Sequence, residues 1–169
     1  MASLKFIIIT GVILTVLLLA GCGGKEPGRY YDAGNKFSIK FPAGWQVTAI
    51  QSGGQENEVL TASNPDNTAT SSIRVQKYGL GTALTIFSKE LSQKLGAGKQ
   101  LEGGIVKIDS RDAYWLVCDG NGAGPEFTTF YYCLTMEDKI YSIIFITGSD
   151  KFSTRRPELE AIANSFKFM

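Results

Sequence analysis

Three pairs of carboxylates, Glu56 with Glu58, Asp109 with Asp112 and Glu137 with Asp138, are the residues of this chain whose spacing could support general acid and base chemistry. Such a pair works only when burial or a like charge drives the two pKa values apart, and acids in turns are ordinarily solvated. None of the 169 residues is histidine. That excludes Ser-His-Asp and Cys-His arrangements, His-bearing zinc sites and the commonest general base. No serine has a lysine three residues on, and no Gly-x-x-x-x-Gly-Lys phosphate loop occurs. Asp119 and Asn121 open an Asp-Gly-Asn-Gly segment that could begin a calcium loop, but Ala123 stands where a third oxygen ligand belongs. It reads as a hairpin turn, with a weak cation site as the alternative. The runs Tyr30-Tyr31 and Phe130-Tyr131-Tyr132 could form a carbohydrate or peptide platform, although every second ring of a strand must face the covered side of its sheet. The core reading is favoured.

The first of three cysteines, Cys22, closes a leader. Lys5 precedes a fourteen-residue apolar run from Phe6 to Leu19, which suits a secretory segment of roughly 7–15 residues and falls short of the about 20 needed to span a bilayer. Leu19-Ala20-Gly21-Cys22 resembles the lipobox of bacterial lipoproteins without departure. The resemblance implies that residues 1–21 are removed and that Cys22 carries fatty acyl chains, palmitate among them, through a thioether and its new amino group. Two or three such chains anchor a protein durably, where one is reversible. An uncleaved anchor, or a plain signal peptide with a chance cysteine, is the competing reading. Gly23, where many inner-membrane lipoproteins carry Asp, leans toward the outer membrane facing the periplasm in a Gram-negative source.

Removing 1–21 leaves residues enough for one domain. Without Lys5 the remaining Lys and Arg balance the 16 Asp and Glu. No basic stripe is present, which argues against nucleic acid and against a polybasic grip on lipid heads. Cys118 and Cys133 form an even pair in a compartment that permits disulfides. If the intervening hairpin is centred on Gly122 or Ala123, Cys118 lies opposite residue 128 and Cys133 is out of reach. A disulfide and two free buried thiols both remain open, with the thiols slightly ahead. No cofactor is implied.

Residues 22–29 read as the lipidated cysteine and a flexible tether, with a globular domain over 30–169. Phe37, Ile39 and Phe41 alternate as a strand, and Pro42-Ala43-Gly44 is expected to turn it into a hairpin with Trp45, Val47 and Ala49. Val59 to Ser63 and Ile73 to Tyr78 follow around the turn Asn64-Pro65-Asp66-Asn67. Leu84, Phe87, Leu91 and Leu95 then recur at helical spacing. Four strand patterns, Leu101 to Ile108, Ala113 to Asp119, Phe127 to Met136 and Ile140 to Thr147, predict an antiparallel meander. The near-continuous apolar run Tyr141 to Ile146 predicts a central strand. A last helix is expected from Thr154 to Asn164, with Pro157 in its first turn. The fold class is α+β, an antiparallel sheet packed by α-helices.

Phe37-Ser-Ile-Lys-Phe-Pro-Ala-Gly-Trp45, the central amphipathic helix, the meander and the closing Asn164-Ser165-Phe166 resemble the PsbP-like (PsbP/Mog1/DcrB) family, an α/β/α sandwich. The resemblance spans nearly all of Tyr30 to Phe168. Its motifs are core and turn residues, so it implies a fold and an accessory or binding role on a larger envelope assembly, and no functional residue is carried over. Trp45 and Phe166 are expected to plug the core. The function this supports is a lipid-anchored, non-catalytic envelope protein that touches the membrane through Cys22 and docks on an envelope protein. An enzyme using a carboxylate pair and a weak cation-binding accessory protein are the alternatives.

Overall fold

The computed structural model describes residues 26–50, 57–77, 99–120 and 126–169. Cys22 with its leader, Glu56, Asn121 and the expected helix through Leu84 and Leu95 lie outside them. Ten strands and one helix are described: β1 Arg29–Asp32, β2 Phe37–Lys40, β3 Gln46–Ala49, β4 Glu58–Ser63, β5 Ala69–Lys77, β6 Lys99–Ile108, β7 Arg111–Asp119, β8 Phe127–Met136, β9 Lys139–Gly148, α1 Ser149–Asn164 and β10 Lys167–Phe168. They form a seven-stranded antiparallel sheet in the order β3-β4-β5-β9-β8-β7-β6 and a small sheet β1-β2-β10.

The meander β6 to β9 follows the alternation of the sequence. The β6–β7 and β8–β9 turns are two residues long: Ile108 pairs with Arg111 around Asp109 and Ser110, whose φ angles of 49° and 63° are those of a type I′ hairpin, and Met136 pairs with Lys139. β9 is the fourth of the seven strands, and both its faces are covered. Tyr141, Ile143 and Phe145 point into the main core, while Ile140 and Ile144 join Leu116, Cys118, Tyr131 and Cys133 on the opposite face. Phe130, Tyr131 and Tyr132 therefore alternate between two buried layers rather than forming a platform.

The hairpin expected between Phe37 and Ala49 does not form. Trp45 N–H donates to the Pro42 carbonyl, but the turn carries the chain out of the small sheet and into the edge of the large one. β2 pairs instead with β1, Arg29 opposite Lys40, and with β10, Lys167 opposite Ser38 and Phe168 opposite Phe37. Folded structure also begins earlier than Tyr30. Gly28, at φ 75°, accepts from the Phe41 amide, and a Cβ there would sit 2.8 Å from the Phe41 oxygen. Glu26 bonds Lys40 at 2.7 Å and Arg29 at 2.6 Å, and Arg29 reaches on to the Ser165 carbonyl at 2.9 Å. The last part of the expected tether is thereby fixed to the domain.

α1 starts at Ser149, five residues before the expected Thr154, so Pro157 lies inside the helix rather than in its first turn. Leu159, Ile162 and Ala163 are buried against the large sheet, followed by Phe166. Phe166 stacks on Phe37 at 5.3 Å and meets Tyr141 and Phe168 edge-on at 5.8 and 5.1 Å, joining helix, small sheet and large sheet in one aromatic cluster. The Tyr141 hydroxyl, at the rim of that cluster, donates to the Asn35 carbonyl. Trp45 fills the core as expected and donates its indole N–H to Glu158 at 2.9 Å.

Candidate functional site

β4 and β5 carry a run of small polar residues, Thr61-Ala62-Ser63 and Thr70-Ser71-Ser72, whose alternation has a consequence. The odd positions of β5, Ala69 to Val75, and the even positions Leu60 and Ala62 of β4 turn toward the main core. The alternate residues Thr61, Ser63, Thr70, Ser72 and Arg74 therefore share the other face. There, with Gln46 from the edge strand β3, Glu58 from β4 and Ile144 and Ile146 from β9, they line a cleft of about 320 Å³. Antiparallel register places Thr61 opposite Ser72, Ser63 opposite Thr70 and Glu58 opposite Arg74. Opposite charges on neighbouring strands and a floor of hydroxyls line the cleft with hydrogen-bonding groups that carry no strong net field, with one apolar wall.

The sequence offered a signal for this cleft, hydroxyl residues at period two on two adjacent strands. It is easily passed over, because Ser and Thr are also common on any solvated sheet face.

The residues singled out from the sequence do not converge. Asp109 accepts from the Phe168 amide at 3.0 Å, Asp112 pairs with Lys107 at 2.7 Å, and Glu137 faces Lys36 at 3.6 Å. Each acid is engaged in a separate structural contact. Among the described residues, the carboxyls that are displaced from their ordinary range go down, not up. Glu26 is lowered to about 2 by its hydrogen bonds from Lys40 and Arg29, and Asp66 is lowered by the hydroxyl and amide of Thr68. A general acid needs the opposite. Asp119 accepts from the Ser149 hydroxyl at 3.1 Å and sits at the hairpin between β7 and β8, where the Gly120 amide donates to Phe127. Among the described residues no three Asp, Glu or Cys side chains come together to hold a metal ion.

Cys118 and Cys133 are free and buried. Register pairs Cys118 with Thr129 and Cys133 with Tyr114, four positions away along β7. At about 3.3 Å per residue that offset is some 13 Å, beyond the roughly 7 Å a disulfide spans between Cα atoms. The disulfide reading is therefore set aside. Burial raises both thiol pKa values, which makes them poor nucleophiles.

Among the described residues, Arg156 is the most elaborately held cation. It bonds both carboxylate oxygens of Glu102 at 3.0 and 2.8 Å and Glu160 at 2.8 Å, and lies over the rings of Trp115, Phe130 and Phe152 at 5.4 to 5.8 Å. With both acids engaged, it acts as a rivet between α1 and the edge strand β6 rather than as a ligand group.

An antiparallel seven-stranded sheet, a small second sheet tied to both termini of the domain and a C-terminal helix across the core define the PsbP-like α+β fold. The solution structure of the cyanobacterial PsbP protein CyanoP from Synechocystis superposes with a TM-score of 0.68 at 17% identity, covering 89% of this chain and 99% of that one. The Saccharomyces cerevisiae Ran-binding protein Mog1p gives 0.56 at 8% identity, covering 83% and 94%. LpqN of Mycobacterium tuberculosis, described as involved in cell envelope biogenesis, gives 0.53 at 10% identity, covering 85% and 86%. No family model and no curated protein sequence matches the chain. At such identities the likeness is one of fold. Among the described residues no helix is long and apolar enough to cross a membrane.

Proposed function

We propose that this chain is a lipid-anchored, non-catalytic protein of the cell envelope whose PsbP-like domain serves as a binding or assembly module. The cleft carries the reading. The hydroxyls of Thr61, Ser63, Thr70 and Ser72, the Gln46 amide and the opposed Glu58 and Arg74 are suited to holding a partner by hydrogen bonds, and Glu58 is the one carboxylate among the cleft's described lining residues. Anchoring rests on Leu19-Ala20-Gly21-Cys22. Two fold neighbours support the rest by their descriptions, one as Ran-binding and the other as acting in cell envelope biogenesis.

The test is site-specific photocrosslinking in intact cells, from a photoreactive residue placed at Thr70 in the cleft. A discrete envelope adduct that is absent when the probe stands at Lys107 is the expected result. Equal, diffuse labelling from both positions would remove the binding role. Cys22→Ala tests the anchor separately, because it should move the protein out of the membrane fraction and abolish palmitate incorporation.

A further inference from the structure

Between the end of β2 and the last turn of α1 lies an apolar groove of about 160 Å³, formed by Lys40, Phe41, Pro42, Ala161, Ile162 and Ser165. Phe41 and Ile162 supply its buried floor, and Pro42 and Ala161 are exposed at its rim. Beside it, the outer face of the small sheet carries Arg29 and Tyr31 from β1, Lys40 from β2 and Lys167 from β10. Glu26 sits between the first and third of these, bonded to both Arg29 and Lys40. Arg29 is turned inward, its side chain 8% exposed and bonded to Glu26, Ser38 and the Ser165 carbonyl, so the face presents an apolar depression, a Tyr ring at the surface and the two lysines Lys40 and Lys167. Tyr side chains and long basic ones are at home in the headgroup region of a bilayer, where an apolar stem and a polar tip are both satisfied.

Chain length decides which surface could meet a membrane. Glu26 is fixed to Lys40 and Arg29, so the free span back to Cys22 is only four residues, about 14 Å when fully extended. A domain of this size is roughly 35–40 Å across. If Cys22 is held at the bilayer, the hemisphere around Glu26 is turned toward it and the opposite hemisphere is out of range. The groove beside Lys40 lies within that hemisphere.

We propose that the groove and the outer face of the small sheet rest on the bilayer that receives the acyl chains of Cys22, with Pro42, Ala161 and Tyr31 at the level of the lipid headgroups. This orientation rests on the lipid-anchor reading. It leaves the cleft on β3 to β5, on the far face of the large sheet, turned away from the membrane and open to a partner.

The experiment uses the full chain, processed in a bacterial host and reconstituted into phosphatidylethanolamine and phosphatidylglycerol vesicles. An environment-sensitive dye is attached at Ala161→Cys or, in a second variant, at Ile105→Cys on the opposite face of the sheet. Cys118 and Cys133 are buried and do not compete for the dye. Spin-labelled lipid should quench the Ala161→Cys dye at least twofold and leave the Ile105→Cys dye unchanged. Equal and weak quenching of both, in protein whose N-terminal peptide carries the acyl mass, would overturn the orientation while leaving the anchor standing. Absence of that mass, with the protein recovered off the vesicles, would overturn the anchor reading itself. A brighter Ala161→Cys dye that lipid-borne spin labels fail to quench would place the protein's own acyl chain in the groove, and would equally overturn bilayer contact.

Discussion

Replacing Phe166 with alanine should cost about 4 to 5 kcal/mol of folding stability. The ring is fully buried and touches three other rings, Phe37 at 5.3 Å, Tyr141 at 5.8 Å and Phe168 at 5.1 Å. Truncation of a buried Phe to Ala costs about 3–5 kcal/mol through lost transfer energy and the cavity left behind. Aromatic pairs add roughly 0.5–1.5 kcal/mol beyond burial. Three contacts place this site in the upper part of the range, since helix, small sheet and large sheet all meet at the ring and none can collapse inward without the others. In urea, with a slope of about 2 kcal/mol per molar for a domain of this size, the midpoint should fall by about 2 M. The assay is equilibrium unfolding of the secreted Cys22→Ala form followed by tryptophan fluorescence, with Tyr31→Ala on the exposed face as the control. A fall below about 0.5 M for Phe166→Ala would refute the claim that this cluster joins the three elements.

The Glu26 carboxyl should titrate near pH 2 in the folded protein, because hydrogen bonds from Lys40 and Arg29 favour its anion. Its folded pKa lies below the unfolded one, so its contribution is present above about pH 4.5 and is lost as the pH falls toward 2. Carboxyl chemical shifts measured by NMR check this, and a midpoint near 4.5 would contradict the ties to Lys40 and Arg29. Cys118 and Cys133 should both resist a thiol reagent in the native state and both react in denaturant, with no change in mass on reduction. Rapid native labelling of either would contradict their burial. Pro157→Ala should raise the thermal midpoint, because the exposed ring lies inside α1 and denies the helix one amide; an interior proline costs about 3 kcal/mol relative to alanine, and part of that should return. An unchanged or lower midpoint would show that the helix has already relaxed around it.

The meander was legible because each of its strands alternates and each is bounded by polar turn residues, so local rules suffice. Tyr141 to Ile146 announced a doubly covered strand by lacking alternation, and β9 has that position. The small sheet was not legible. β1 reads Arg-Tyr-Tyr-Asp after a glycine-rich stretch, and β10 is only two residues long. β1 meets β2 locally, but β10 reaches β2 across more than a hundred residues, which no local pattern reports. The false hairpin has the same origin: Pro42-Ala43-Gly44 does turn the chain, but sheet membership is decided by Phe168 meeting Phe37. Pro157 misled because proline favours the first turn of a helix, while here the helix extends back to Ser149. Of the candidate site, the hydroxyls of β4 and β5 were visible as residues but not as a cleft, because their cross-strand neighbours Ile144 and Ile146 arrive from the far end of the chain.

The place of β9 between β5 and β8 also bears on when this polypeptide can become a solid object. Until residues 139–148 have been made, the early strands β3 to β5 and the late strands β6 to β8 share no ladder, and the second edge of β2 waits longer still for Lys167 and Phe168. Pairings so distant in sequence form slowly. A nascent chain built this way cannot complete its large sheet before β9 is present, and under the export reading proposed above that delay would keep it threadable through a narrow channel.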